Sequence, residues 1–168
     1  PMNRDSAGSD LADRHRVLHV VNGEHYSGAE RVQDLLGQRL PEFGFEVSFA
    51  CVKPGQFARM REGRDCPLYE LPMRSRVDVR PAMALARVAR QTRSVLLHAH
   101  TPRSLIVARL AAMMAGLPSV YHVHSPTARD SGRALHNWIN HTTERFSLWG
   151  VQQLIAVSRS LAAHMQSE

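Results

Sequence analysis

Apolar residues fall into short runs separated by longer stretches in which they recur every three to four positions. The alternation is clearest from Ser94 to Pro126, SVLLHAHTPRSLIVARLAAMMAGLPSVYHVHSP. Val95 to Ala99 and Ser119 to Val123 have strand length and β-branched content, and the segment between them has helical length and spacing. Strands joined through a helix are most simply parallel, and a right-handed crossover leaves both ending at one edge of their sheet. That edge receives His98, His100, Thr101 and Arg103 from the first strand and His122, His124 and Ser125 from the second.

The same alternation runs through the rest of the chain. Val17 to Val21 predicts a first strand, and Asn22-Gly23 leads to Ser27-Gly28-Ala29-Glu30, which opens a helix. Val32, Leu35, Leu36, Arg39 and Leu40 recur at helical spacing, until Pro41 and Gly44 end the pattern. Phe45 to Val52 and Leu68 to Leu71 predict strands on either side of a short helix from Gln56 to Glu62. Pro81 suits the first turn of a helix over Ala82 to Thr92 that buries Leu85, Val88 and Ala89. After Pro126 the pattern predicts a loop from Thr127 to Gly132 and a helix from Ala134 to Trp149 burying Trp138 and Phe146. A last strand, Leu154 to Val157, and a helix from Leu161 follow.

About six strands alternating with helices imply an α/β fold, a doubly wound, Rossmann-like parallel sheet with helices on both faces. The expected strand order is 3-2-1-4-5-6. Residues 1–13 lack periodicity and read as a mobile tail, which leaves 14–168 as a single domain.

Composition narrows the function classes. With 43% hydrophobic and 21% charged residues, the chain is ordinary for a folded protein. Arg109 interrupts the longest apolar run, and the N-terminus PMNRDSAGSDLADRHR lacks the apolar core of a secretory signal. The cytoplasm is therefore the expected compartment. Cys51 and Cys66 are too far apart in sequence for a metal knuckle or redox pair and are expected to be reduced. The net charge of +6 comes almost wholly from arginine, Lys53 being the only lysine. Arginine suits phosphate and carboxylate partners, although a bias toward arginine on solvated faces would give the same count. Arg59, Arg61, Arg64, Arg74 and Arg76 border loops that could meet an anionic membrane or an acidic acceptor. Nucleic acid is disfavoured, because Phe43, Phe45, Phe49 and Phe57 fit the core and turns better than a basic stacking face.

Two features could carry chemistry. The turn from Gly23 to Gly28 opens a helix whose unpaired N–H groups and dipole favour a phosphate, with Gly28 permitting close approach and Ser27 able to cap or to bond a ligand oxygen. It matches neither Gly-x-Gly-x-x-Gly nor a P-loop, and a plain capped turn remains open. Alternation along a strand pairs His98 with His100 and His122 with His124. Four imidazoles could cluster, but a zinc site would need a supporting shell, and no nearby carboxylate follows until Asp130. His98 and His122 lie deeper and read as satisfied core residues. His100 and His124 are expected where burial ceases, and Ser125-Pro126 gives His124 an extended exit.

The runs RVLHVVNGEHYSGAERV, LLHAHTPRSLIVARLAAMMAGLPSVYHVHSP and LIAVSRSLAAHM resemble, in order and spacing over about residues 16 to 165, the N-terminal half of retaining GT-B glycosyltransferases of family four, the "group one" transferases. The resemblance implies the acceptor-side half of an enzyme that moves a sugar from a nucleotide-sugar donor to a glycan or lipid-linked acceptor, with no metal or other cofactor. Ser27-Gly28-Ala29-Glu30 looks like the family's Gly-Gly-x-Glu turn, serine replacing its first glycine, and it implies donor binding there, with Gly23 alongside. His124 matches the catalytic-site histidine that contacts the transferred sugar, and His100, Thr101 and Arg103, with Ser125, match a loop bordering the acceptor. The family's donor-gripping Glu-x7-Glu pattern lies in a second domain, and this chain stops at Glu168. The C-terminal domain is therefore an expected partner, and the chain alone is expected to bind nucleotide-sugar feebly and turn it over negligibly. The rival expectation is a non-catalytic Rossmann-like module that binds anions, nucleotides or a protein partner.

Overall fold

The computed structural model describes residues 14–75, 78–124 and 151–167. The readings made above for residues 1–13, Arg76, Ser125, Asp130, the Thr127 to Gly132 loop and the Ala134 to Trp149 helix lie outside the described residues.

Runs of β-branched and apolar residues form the strands β1 (His15–Val21), β2 (Phe45–Cys51), β3 (Leu68–Glu70), β4 (Leu96–Ala99), β5 (Ser119–Val123) and β6 (Gln153–Ala156). They hydrogen-bond in the order β3-β2-β1-β4-β5-β6, and every pairing is parallel, as the alternation predicted. Between them run α1 (Gly28–Arg39), α2 (Gln56–Met60), α3 (Arg80–Gln91) and α4 (Pro102–Ala115), with α5 (Arg159–Ser167) after β6. Thr101 caps α4 by accepting from the Ser104 N–H at 3.2 Å, and Gly116 ends it in the left-handed region.

Parallel strands alternate their side chains between two covered faces, and here the faces differ. On one, Leu18, Val20, Ala50, Leu97, Ala99, Tyr121 and Val123 pack against Leu85, Ala86 and Ala89 of α3, Leu105, Ala108 and Ala111 of α4, and Leu161 of α5. Each fully buried leucine or valine there contributes roughly 1.5–3 kcal/mol. The other face holds a smaller cluster of Val21, Val47, Phe49, Cys51, Phe57 and Cys66, both cysteines being free. The same face also carries His19, His98 and His122, with Val17 two residues before His19.

Helix α1 forms where the spacing predicts it, but its apolar positions are not its buried ones. Leu35 is 54% exposed, and the buried positions are Glu30, Gln33, Asp34 and Gly37. Close packing explains Gly37, since a Cβ there would sit 2.8 Å from the Phe49 ring. Asp34 is buried because its carboxylate accepts from the Tyr26 hydroxyl at 2.6 Å, the Glu62 N–H at 2.7 Å and the Gly63 N–H at 2.9 Å. Burial, followed by the bond to Asp34, pushes the Tyr26 hydroxyl up to about 12. Phe43 lies in a turn, as expected, and is 71% exposed in the short segment Leu40–Phe43. Arg61 is buried, its guanidinium donating to the Gly63 and Cys66 carbonyls at 3.0 and 2.6 Å, so it is not a surface cation.

Candidate active site

Parallel register brings the carboxyl ends of β1, β4 and β5 to one rim. Val21 leads into Asn22-Gly23, Ala99 into His100-Thr101, and Val123 into His124. The Gly23 to Ser27 turn is held by the Phe57 N–H bonding the Gly23 carbonyl at 3.2 Å and by Lys53 paired with Glu24 at 2.6 Å. That pairing holds the Glu24 carboxyl below its ordinary range, helped by the more distant charge of Arg103 in the first turn of α4. Arg103 is thus within electrostatic reach of the turn that opens α1.

Gly23 and Gly28 sit there for different reasons. Gly23 has φ +84, and a Cβ on it would lie 2.1 Å from the Cys51 sulfur, so the fold itself requires glycine. A Cβ at Gly28 would meet nothing within 4 Å, and its φ is not positive. Packing does not account for Gly28. The first intrahelical bond runs from the Arg31 N–H to the Ser27 carbonyl, so the N–H groups of Gly28 and Ala29 open toward the rim without a helical acceptor. Ser27 caps the helix, and its N–H and hydroxyl donate to the Glu30 carboxylate at 3.3 and 2.7 Å.

Beside this turn five imidazoles lie on one sheet face. His19 is the backbone partner of His98, and His98 and His122 rings stack with centroids 5.7 Å apart. His98 and His100 stack at 4.2 Å, His122 and His124 at 4.4 Å. His19 Nδ1 lies 2.9 Å from His100 Nε2, and His100 Nδ1 lies 3.3 Å from His124 Nε2. His100 was expected where burial ceases, yet it is 1% exposed, because both ring nitrogens are engaged and its neighbours' rings cover it. His98 and His122 are buried as expected, but among the described residues His98 Nε2 and His122 Nδ1 have no hydrogen-bond partner, nor has His19 Nε2. His124 is half-buried at the mouth. Thr101 is committed to the α4 cap.

Burial keeps these rings neutral. It holds His19 and His100 well below the ordinary histidine range, reinforced by the neighbouring imidazoles. His98 falls to about 3 and His122 to about 4 for the same reasons. His124 is also lowered by burial, but the Glu30 carboxylate opposes the shift, which puts the α1 opening and His124 within electrostatic reach of each other. Two triplets, His19, His98, His100 and His100, His122, His124, bring ring nitrogens within 4.8 Å and could in principle hold a metal ion. Both need His100, whose two nitrogens already lie within hydrogen-bond distance of His19 and His124.

His19 was missed by the sequence reading. It lies within an apolar run, and only the register of β1 against β4 shows that it joins the other four. The signal available was its parity, shared with Val17 and Val21 on a strand expected beside β4.

Residues 26–168 match the family model described as Glycosyltransferase Family 4. The chain is 23% identical over 133 residues to the UDP-Gal:alpha-D-GlcNAc-diphosphoundecaprenol alpha-1,3-galactosyltransferase of Escherichia coli, covering 74% of this chain and 34% of that protein. Its fold is similar to HepE from Anabaena, solved in complex with UDP and glucose, with TM-score 0.68 and 19% identity over 92% of this chain and 41% of the other. It is also similar to MurG from Acinetobacter baumannii, with TM-score 0.62 and 15% identity over 84% of this chain and 41% of that one. The chain thus spans 34% of the curated relative's length and 41% of each of these solved chains.

Proposed function

This chain belongs to Glycosyltransferase Family 4, and from that premise we propose that it forms the acceptor-side wall of a cleft in which a sugar passes from a nucleoside diphosphate to an acceptor with retention of configuration. The observation that carries the reading is Gly28: an open helix start with no packing reason for glycine, on the same rim as the half-buried His124. The donor diphosphate approaches the N–H groups of Gly28 and Ala29, where the helix dipole offsets its charge. His124 hydrogen-bonds the sugar as charge develops, and Arg103 borders the acceptor. Preorganised donors of this kind stabilise a departing diphosphate without a protein nucleophile or a metal. The second wall belongs to a partner domain, so the chain alone binds donor weakly and transfers negligibly. The acceptor is a glycan or lipid-linked glycan, and the exposed arginines Arg59 and Arg74 bring the protein to an anionic membrane surface. Among the described residues no helix is long and apolar enough to cross a membrane.

Titrating the 15N-labelled chain with millimolar UDP-sugars tests the site. Amide shifts concentrated at Gly28, Ala29 and Glu30, with movement of the His124 ring, are expected. Absence of shifts there, or shifts confined to another surface, would overturn the assignment. Equal shifts from inorganic pyrophosphate with none at His124 would favour the non-catalytic anion-binding module instead.

A further inference from the structure

The histidine stack has a property that its separate contacts do not reveal. His100 shares one ring nitrogen with His19 at 2.9 Å and the other with His124 at 3.3 Å. A neutral imidazole carries a single N–H, so His100 can donate to only one of these neighbours and must accept from the other. The two hydrogen bonds therefore run in the same direction. If His19 donates from Nδ1, then His100 accepts at Nε2, donates from Nδ1, and leaves His124 accepting at Nε2 with its own proton on Nδ1. If the direction reverses, His124 donates from Nε2, His100 donates from Nε2, and His19 accepts at Nδ1 with its proton on Nε2. In the first arrangement all three rings are Nδ1–H tautomers, and in the second all three are Nε2–H tautomers.

We infer that His19 and His100 are positioning residues that set the tautomer of His124, and thereby decide whether its ring atom left to the cleft, Nδ1, donates or accepts a hydrogen bond. The contact geometry imposes this coupling, and burial supports it. His19 is 0% and His100 1% exposed, so water does not compete for the contact between them, while the His100–His124 contact is partly buried at the mouth. The stacked His98 and His122 rings hold the planes in place at centroid distances of 4.2 Å from His100 and 4.4 Å from His124. A charge at His100 would face His19, His98, His122 and His124, and among the described residues the Glu30 carboxylate at the mouth opposes the lowering at His124. The neutral, directional state is therefore the resting one. His19, which reaches no ligand, acts on the cleft through two hydrogen bonds. The consequence for a ligand rests on the reading of His124 as the sugar-facing group, whereas the tautomer coupling itself does not.

Long-range 1H–15N correlation spectra of the chain labelled at histidine, recorded without ligand, distinguish the two neutral tautomers of each ring. His19, His100 and His124 are expected to share one tautomer, all Nδ1–H or all Nε2–H. His19→Phe, which keeps a ring in the stack but removes the hydrogen bond, should convert His124 from one tautomer to a mixture. Unlike tautomers among the three wild-type rings would overturn the proposal, and the wild-type spectrum decides this even if the variant does not fold. An unchanged His124 in a folded His19→Phe variant would overturn it as well. Because no ligand is present, this result is independent of the donor titration. Coupled tautomers without donor shifts at His124 would remove the sugar-binding role and leave the relay.

Discussion

Gly23 and Gly28 bracket the same turn yet do different work. At Gly23 a side chain would have to enter the left-handed region and displace the Cys51 sulfur, so Gly23→Ala should cost about 2–4 kcal/mol in urea unfolding. Gly28→Ala should leave stability within about 1 kcal/mol, because an alanine at a first helical position meets open space, while weakening the amide shifts produced by UDP-sugar. A Gly28→Ala chain that loses stability as Gly23→Ala does would refute the distinction. Spacing alone singled out both glycines but could not separate them, since the distinction lies in Cys51, a residue on another strand. The same holds for the histidines. His98, His100, His122 and His124 were legible as same-face pairs, whereas His19 required knowledge of which strand lies beside β4.

The strands and their order were readable from sequence because each is a short apolar run in a regular alternation with helices. The α1 helix was readable as well, but its buried face was not. Its leucines follow helical spacing, but three polar side chains and a glycine occupy the inner face, held there by Phe49 and by backbone donors from distant loops. Hydrophobic spacing cannot report a face stabilised by hydrogen bonds. A second case is the segment from α2 to β3, where a run of arginines reads as one basic surface. Arg61 turns inward to cap carbonyls, and the guanidinium of Arg64 holds the Ala58 and Arg59 carbonyls. Exposed Arg59 and Arg74, with Met60 half exposed beside them, remain for a membrane. Sedimentation with phosphatidylglycerol vesicles should therefore show binding at low salt that fades at high salt. No pelleting at low salt would rule this surface out.

At the scale of the whole molecule, one sheet face is covered by hydrocarbon while the other buries imidazoles beside a smaller apolar cluster, and this makes stability depend on pH. Histidines in the unfolded chain begin to take up protons below about pH 6.5. His19, His98, His100, His122 and His124 all have lowered values in the folded state and decline those protons. The unfolded state then binds more protons than the native one, so stability falls as pH falls. The loss should begin near pH 6.5 and continue toward about 4, where folded His122 begins to charge. Urea midpoints that decline from pH 7 to pH 5 are expected, and constant midpoints would show that the stack accepts protons while folded. Asp34 adds a different consequence. One carboxylate ties the aromatic ring preceding α1, the helix itself and the chain after α2, so the entrance beside Gly28 is already rigid when no guest is bound. An arriving phosphate has little disorder left to remove, and the entropy of shaping its berth was spent when the polypeptide folded.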